Sequence, residues 1–155
     1  MTAPNAEVFV RDARFSDIPA LVGLLALLFS IEEGFAFDEA KQRRGLEMML
    51  QDTSARQVFV AEADGGVVGM CSVQTLISTA EGAAAATVED VVVQPAFQGQ
   101  GVGRRLLDAL EGWCRGRGIT RLHIMADRNN PPALDFYRRL EWQPTQLICL
   151  RKNIA

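Results

Sequence analysis

A single tyrosine, a single histidine and three cysteines in 155 residues leave little material for disulfide or metal chemistry. Cys71, Cys114 and Cys149 stand far apart, form no C-x-x-C pair and are odd in number, so a reduced, cytoplasmic protein is expected rather than a secreted one. With His123 alone and no zinc-ligand spacing, no metal is expected. The chain also lacks a basic excess. Its formal charge of −3 excludes the usual nucleic-acid footprint and is mildly compatible with a cationic substrate. The longest apolar run, Ile18–Ile31, is too short to span a bilayer and is interrupted by Pro19 and Gly23, so no membrane partner is expected. Met1 to Ala6 is polar without a basic start, which gives no sign of a secretory leader. Repeats, low-complexity tracts and interdomain linkers are missing too. What is present, 48% apolar and 23% charged residues, is ordinary globular material, and residues 1–155 are read as one domain.

The most informative stretch runs from Val88 to Leu107. The β-branched run Val91, Val92, Val93 reads as a strand that Pro95 stops. Val102, Leu106, Leu107, Leu110, Trp113 and Cys114 then recur at helical spacing. Between them, Gly99, Gly101 and Gly103 let the backbone bend and approach a ligand closely. Free N–H groups at the start of such a helix suit an anion such as phosphate. The spacing excludes two familiar meanings. A dinucleotide fingerprint needs a third glycine where Arg104 stands, and a P-loop needs Gly-Lys-Ser/Thr where Gly103-Arg104-Arg105 stands.

The remaining elements follow from local signals. Residues 7–13 read as a first strand. Ser16 is the expected cap of a helix whose buried face is Leu21, Leu24, Leu25, Leu28 and Phe29, with Asp17 and Pro19 in its first turn. Residues 31–37 break that helix, and a second is expected over 38–51 with Leu46, Met49 and Leu50 inward. Strands at 57–63 and 67–77 are joined by Asp64-Gly65-Gly66, a strong hairpin signal. Helix 101–116 ends at Arg115-Gly116-Arg117-Gly118, where a glycine is expected to supply the left-handed cap, followed by a strand over 119–125 and a short helix from Asn130 to Arg139. A last strand is expected over 145–151. The order βααβββαβαβ predicts a mixed α/β sheet with helices on both faces.

Two motifs then fit one family. Gln98-x-x-Gly101-x-Gly103 after an acidic strand resembles the acetyl-CoA pyrophosphate loop of the GNAT family of N-acetyltransferases. The segment Asn130-x-x-Ala133-x-x-Phe136-Tyr137 through Trp142 resembles the family's other marker, departing from it at Glu141, where glycine is usual. Gln98 replaces the commoner arginine. The resemblance covers the order of elements from about residue 7 to 151. It implies a central mixed sheet of about six or seven strands with about four helices, and acetyl-CoA as acyl donor.

The resemblance also implies roles. Glu89 becomes the candidate base, acting through water, the plain alternative being a strand-end ion pair. Asp90 faces the other way by strand alternation unless a bulge intervenes. Such a bulge leaves N–H groups near Val91 and Val93 for the pantetheine arm and the thioester oxygen. Tyr137, protonated at neutral pH, becomes the candidate acid for the departing CoA sulfur, the alternative being a core tyrosine with an exposed hydroxyl. The implied donor-binding set is Val91, Val92, Val93, Gln98, Gly99, Gln100, Gly101, Val102, Gly103, Arg104, Asn130 and Tyr137. Asn130 caps the last helix or touches the donor, and Arg104 and Arg105 pair with phosphates or are ordinary helix-start arginines. His123 is read as packing on a strand face, without a catalytic role. In this family the acceptor often rests against the loop joining the first two helices, which brings in Glu32, Glu33, Phe35 and Phe37; a solvated connector is the alternative. Glu89-Asp90 resembles the acidic strand of diamine acetyltransferases, so a polyamine or amino-acid-like acceptor is worth testing. The implied function is N-acetylation of a primary amine of a small molecule or peptide. The alternative is a non-catalytic acyl-CoA sensor. A homodimer is compatible with the family.

Overall fold

The computed structural model describes residues 6–32 and 34–155. Five strands form one sheet in the order β1 (Val8–Asp12), β2 (Arg56–Ala63), β3 (Gly66–Ser78), β4 (Ala83–Val93) and β5 (Leu122–Ile124). The first four are antiparallel neighbours and β5 joins β4 in parallel, so the sheet is mixed as expected. The hairpin signal places the β2–β3 turn correctly, with Asp64 and Gly65 in the left-handed region at φ 52° and 76°.

Four helices accompany the strands: α1 (Ile18–Ile31), α2 (Glu39–Gln51), α3 (Val102–Arg115) and α4 (Pro131–Arg139). Register parity shows which sheet face the first three cover. Val58, Val60, Met70 and Val92 bury themselves with Leu21, Leu24, Leu25 and Leu28 of α1 and Leu46 and Leu50 of α2. Odd-numbered neighbours on β3 turn to α3 instead. The Cys71 thiol donates to the Leu106 carbonyl at 3.6 Å, and a Cβ on Gly69 would stand 3.2 Å from Leu106 Cδ1. Gly69 is therefore glycine because α3 and β4 press on it. The α3 stripe read from the sequence, Val102, Leu106, Leu107, Leu110 and Cys114, is buried, while Trp113 is half-buried beneath the Arg117 guanidinium at 3.8 Å.

The entry to α1 differs from expectation. Ser16 sits in a short 3-10 turn, Phe15–Asp17, and Asp17 takes the N-cap position. Asp17 is the residue with strong partners. Its carboxylate accepts from the Arg14 N–H at 2.7 Å and from both Arg11 terminal nitrogens at 2.8 and 2.9 Å. Arg11 also reaches Glu62 at 2.8 Å, tying β1, β2 and the α1 entry together. At α2 the expected start holds. Asp38 accepts from the Lys41 N–H while its own N–H donates to Gln42 Oε1, a reciprocal cap.

Compact packing divides the chain into one unit ending at Ile124 and another from Met125 to Ala155. In the second unit α4 is followed by irregular chain. The strand expected over 145–151 is not formed, and the strand expected over 119–125 is confined to Leu122–Ile124. Leu147, Ile148 and Leu150 are exposed, and no described strand pairs with this segment. Five strands rather than six or seven are thus present among the described residues. No helix of these residues is long and apolar enough to cross a membrane.

Candidate active site

The site begins with a parity mismatch in β4. Ser72 pairs with Glu89 and Met70 with Val92, so two steps on β3 match three on β4. One extra residue sits in β4: a bulge. Asp90 is the kinked residue, at φ 54°, a left-handed conformation rare for a non-glycine side chain. The bulge lets Glu89 and Val92 share the α1–α2 face although they are an odd three steps apart. It also brings Asp90 onto the same cavity as Glu89.

That cavity has a volume of about 330 Å³ and lies where α1 and α2 cross β2, β3 and β4. Leu25, Leu46 and Met49 give it an apolar floor, and Glu89, Asp90 and Ser72 an acidic end. Glu89 is exposed and Asp90 half-buried. The Ser72 hydroxyl can donate to the Glu89 carbonyl at 3.1 Å or to Asp90 Oδ2 at 3.4 Å. Burial, and then the charges of Glu89 and Glu32, push the Asp90 carboxyl up to about 6, against the opposing Ser72 contact. Glu32 therefore acts on this end electrostatically. Phe35 stacks on Phe29 at a centroid distance of 5.5 Å and does not line the cavity, nor does Phe37. Glu33 lies outside the described residues. Sequence reasoning missed Lys41, Gln42, Gly45, Met48, Arg56 and Gln74 on the cavity wall. Only the α2 periodicity, which marks Met49 as inward, hinted at that wall.

Beyond the bulge β4 prepares a second surface. The Gln94 N–H donates to the Val68 carbonyl at 2.8 Å, so by ladder alternation the amides of Val93 and Val91 point away from β3. On that other side the β5 ladder ends at Val88. Val92 instead puts its side chain into the core. A 3-10 turn, Pro95–Phe97, leads into the glycine loop. Gly99 and Gly101 take φ 75° and 79°, and Gly101 is the N-cap of α3. No side chain caps this helix, and its first intrahelical donor is the Arg105 N–H, to Gly101. The amides of Val102, Gly103 and Arg104 thus emerge without a partner among the described residues, at the positive end of a 14-residue dipole. The loop polices itself: Gln98 Nε2 donates to the Val93 carbonyl at 2.9 Å, and Gln100 Nε2 to Ala96 at 3.1 Å. Both amide side chains are thus committed to holding backbone. Arg104 is exposed, whereas Arg105 turns to the Val8 carbonyl.

In the second unit, Asn130 caps α4 through its side-chain oxygen, which accepts from the Ala133 N–H at 3.4 Å. Tyr137 lies half-buried between Phe136 and Trp142, with ring centroids 5.2 and 6.0 Å away in edge-on contacts. Glu141 adopts φ 69°, so the turn that usually employs glycine is made all the same. The exposed His123 stands on β5 opposite Thr87. Among the described residues no group of three or more His, Cys, Asp or Glu is arranged to hold a metal ion.

Comparison with known proteins places this geometry. The model of the acetyltransferase (GNAT) family matches residues 22–142. The streptothricin acetyltransferase of Streptomyces lavendulae is 31% identical over 163 residues, spanning 90% of this chain and 84% of its own. An aminoglycoside N(6')-acetyltransferase type 1 of Stenotrophomonas maltophilia is 34% identical over 80 residues, spanning 50% of this chain and 52% of its own. Among solved structures, an aminoglycoside N-acetyltransferase in complex with CoA superposes with a TM-score of 0.81 over 100% of both chains. At 17% identity that last likeness is one of fold.

Proposed function

The chain belongs to the acetyltransferase (GNAT) family and is an acyltransferase; we propose that it moves the acetyl group of acetyl-CoA directly to a primary amine of a small molecule or peptide. The observation that carries this reading is the double use of β4. Its bulge turns two carboxylates into the cavity, and its far end turns two amides away from β3 just before an uncapped, glycine-opened helix.

The proposed chemistry needs three proton or charge events. An amine at neutral pH is mostly ammonium and must lose a proton before it attacks. Glu89, at the open side, draws the ammonium in. The Glu89–Asp90 pair then receives the proton, directly or through water, with the desolvated Asp90 as its holder. The C–N bond forms as the C–S bond breaks, the thiolate takes its proton from Tyr137, and the second proton, which the nitrogen sheds as it becomes an amide, returns through water to the tyrosinate. The Val91 and Val93 amides serve the pantetheine arm and the thioester oxygen. The α3 start, from Gly99 to Arg104, takes the pyrophosphate. Gln98 and Gln100 act by stiffening that loop, as their bonds to Val93 and Ala96 support, and Asn130 acts by setting the start of α4.

Residues 1–155 are proposed to work as one domain in the cytoplasm, in keeping with three free cysteines. A homodimer is proposed on the exposed Leu147, Ile148 and Leu150, which a partner would cover. Light scattering at low and high concentration tests it.

The test of function is acetyl-CoA-dependent thiol release across a panel of amines. Tyr137→Phe is expected to lower kcat by roughly 10²- to 10⁴-fold with acetyl-CoA affinity intact. Binding of acetyl-CoA without transfer to any amine would favour an acyl-CoA sensor.

A further inference from the structure

The acidic end of the cavity has a basic counterpart. Lys41 and Arg56 line the same 330 Å³ space as Glu89 and Asp90. Neither makes an ion pair with a described residue, whereas the neighbouring Arg43 is paired with Glu39. Asp52 feels the Arg56 charge, but its carboxylate is held by the Ser54 hydroxyl at 2.6 Å and the Ser54 N–H at 2.9 Å. Arg56 has only a long contact, 3.5 Å, to the Met48 carbonyl. A half-buried guanidinium without a carboxylate, on the wall of a cavity that holds two carboxylates, is an unusual economy unless a ligand completes it.

The ladder fixes the spacing. Arg56 stands opposite Gln74, and Glu89 opposite Ser72, all four on one sheet face. Two residues along the strands and two strands across put the Arg56 and Glu89 backbones on the order of 12 Å apart. The side chains reach inward from those points over the apolar floor of Leu46 and Met49. We infer that the acceptor is a bipolar amine, one carrying a carboxylate or phosphate several bonds from its reacting nitrogen. Its amine meets Glu89 and Asp90, and its anionic group meets Arg56 and Lys41. This assignment rests on the proposed transfer reaction and specifies its acceptor. It sets an amino-acid-like acceptor above a polyamine, because a second ammonium would face two cations.

The experiment compares acceptors that differ only at the far end. Purified protein and acetyl-CoA are offered ω-amino carboxylates of four to six carbons, their primary amides, the matching diamines, an aminoalkyl phosphate and an aminoglycoside. The better of the carboxylate and the phosphate is expected to exceed the neutral carboxamide of like length by roughly 10- to 100-fold in kcat/KM, the worth of one charged hydrogen bond. Whichever of the two acidic acceptors is better identifies the anion. Arg56→Gln and Lys41→Gln should each pull that ratio toward one, and Arg56→Glu should move the preference toward diamines. Thermal melting of each variant confirms folding, and the ratio is read within one variant, so a loss of overall rate does not mimic the result. Equal use of acid and amide, or preference for the diamine or aminoglycoside by the wild type, overturns this inference while leaving N-acetyl transfer standing. If acetyl-CoA binds and no amine of any kind is acetylated, the transfer reading falls and this one with it.

Discussion

The Ser72 hydroxyl stands within 3.4 Å of Asp90 Oδ2 and 3.1 Å of the Glu89 carbonyl, so one side chain of β3 bridges both parts of the β4 bulge. Ser72 is itself buried, and the bond it makes opposes the burial that raises the Asp90 carboxyl.

The first prediction concerns pH. Because the Asp90 carboxyl is pushed up to about 6, kcat/KM should rise as pH passes that value and then level. Asp90→Asn should remove the rising limb and lower kcat, whereas Glu89→Gln should act mainly on KM. A limb at the same pH in Asp90→Asn would transfer the base to another group. Stability carries the opposite sign. A raised carboxyl contributes fully below its unfolded value of about 3.8, and that contribution is lost as pH rises through the folded value near 6. Asp90→Asn should therefore stabilise the protein at pH 7, by on the order of 2 kcal/mol, as urea unfolding at pH 4 and 7 would register.

The Arg11–Asp17 pair gives the converse case. Two Arg11 nitrogens and the Arg14 N–H hold the Asp17 carboxyl well below the usual carboxylate range. Its stability contribution is complete above the unfolded value and is lost as pH falls through the lower folded one. Arg11→Met leaves a buried carboxylate with one backbone donor and should cost on the order of 3 kcal/mol at neutral pH. Acetyl-CoA affinity should be unaffected in the folded fraction. Chemical denaturation at pH 7 and pH 3 measures both statements.

Gly101 separates backbone strain from crowding. A Cβ there would meet nothing within 4 Å, yet the residue sits at φ 79°. Gly101→Ala should cost about 1 kcal/mol of stability, from conformation alone. The larger effect is expected on acetyl-CoA binding, since relief of the strain rotates the amides at the α3 start. Calorimetric titration with acetyl-CoA, beside a melting curve, distinguishes the two losses. Unchanged affinity would remove the loop from the donor site.

Glu141 predicts a gain. At φ 69° a glutamate carries left-handed strain that glycine does not. Glu141→Gly should stabilise by up to about 1 kcal/mol, offset in part by the extra freedom of glycine in the unfolded chain. A lower melting temperature would mean that the Glu141 side chain supports the turn.

The boundaries of α2 and α3, the β2–β3 turn and the two family motifs were legible because each depends on neighbours in sequence. Leu106 and Leu110 announce a buried helix face without reference to the rest of the chain. The bulge was legible only as a condition attached to Asp90, because the extra residue in β4 is defined by the register of β3, set from Ser72 and Met70. The cap of α1 was misplaced for a similar reason. Ser16 has the better local chemistry, but Asp17 has Arg11, six residues back on β1. The strand expected over 145–151 is not formed, because a strand needs a ladder partner and local sequence does not specify one. Lys41 and Arg56 were invisible as site residues, since only the crossing of α2 over the sheet brings them to one cavity.

The bulged strand has an evolutionary consequence. The cavity draws its wall from α1, α2, β2, β3 and β4, and the glycine loop that opens α3 follows on from β4, so this one strand borders both. Under the proposed function, acceptor preference is open to drift by substitution at residues such as Arg56 or Met48 while the donor loop stays as it is.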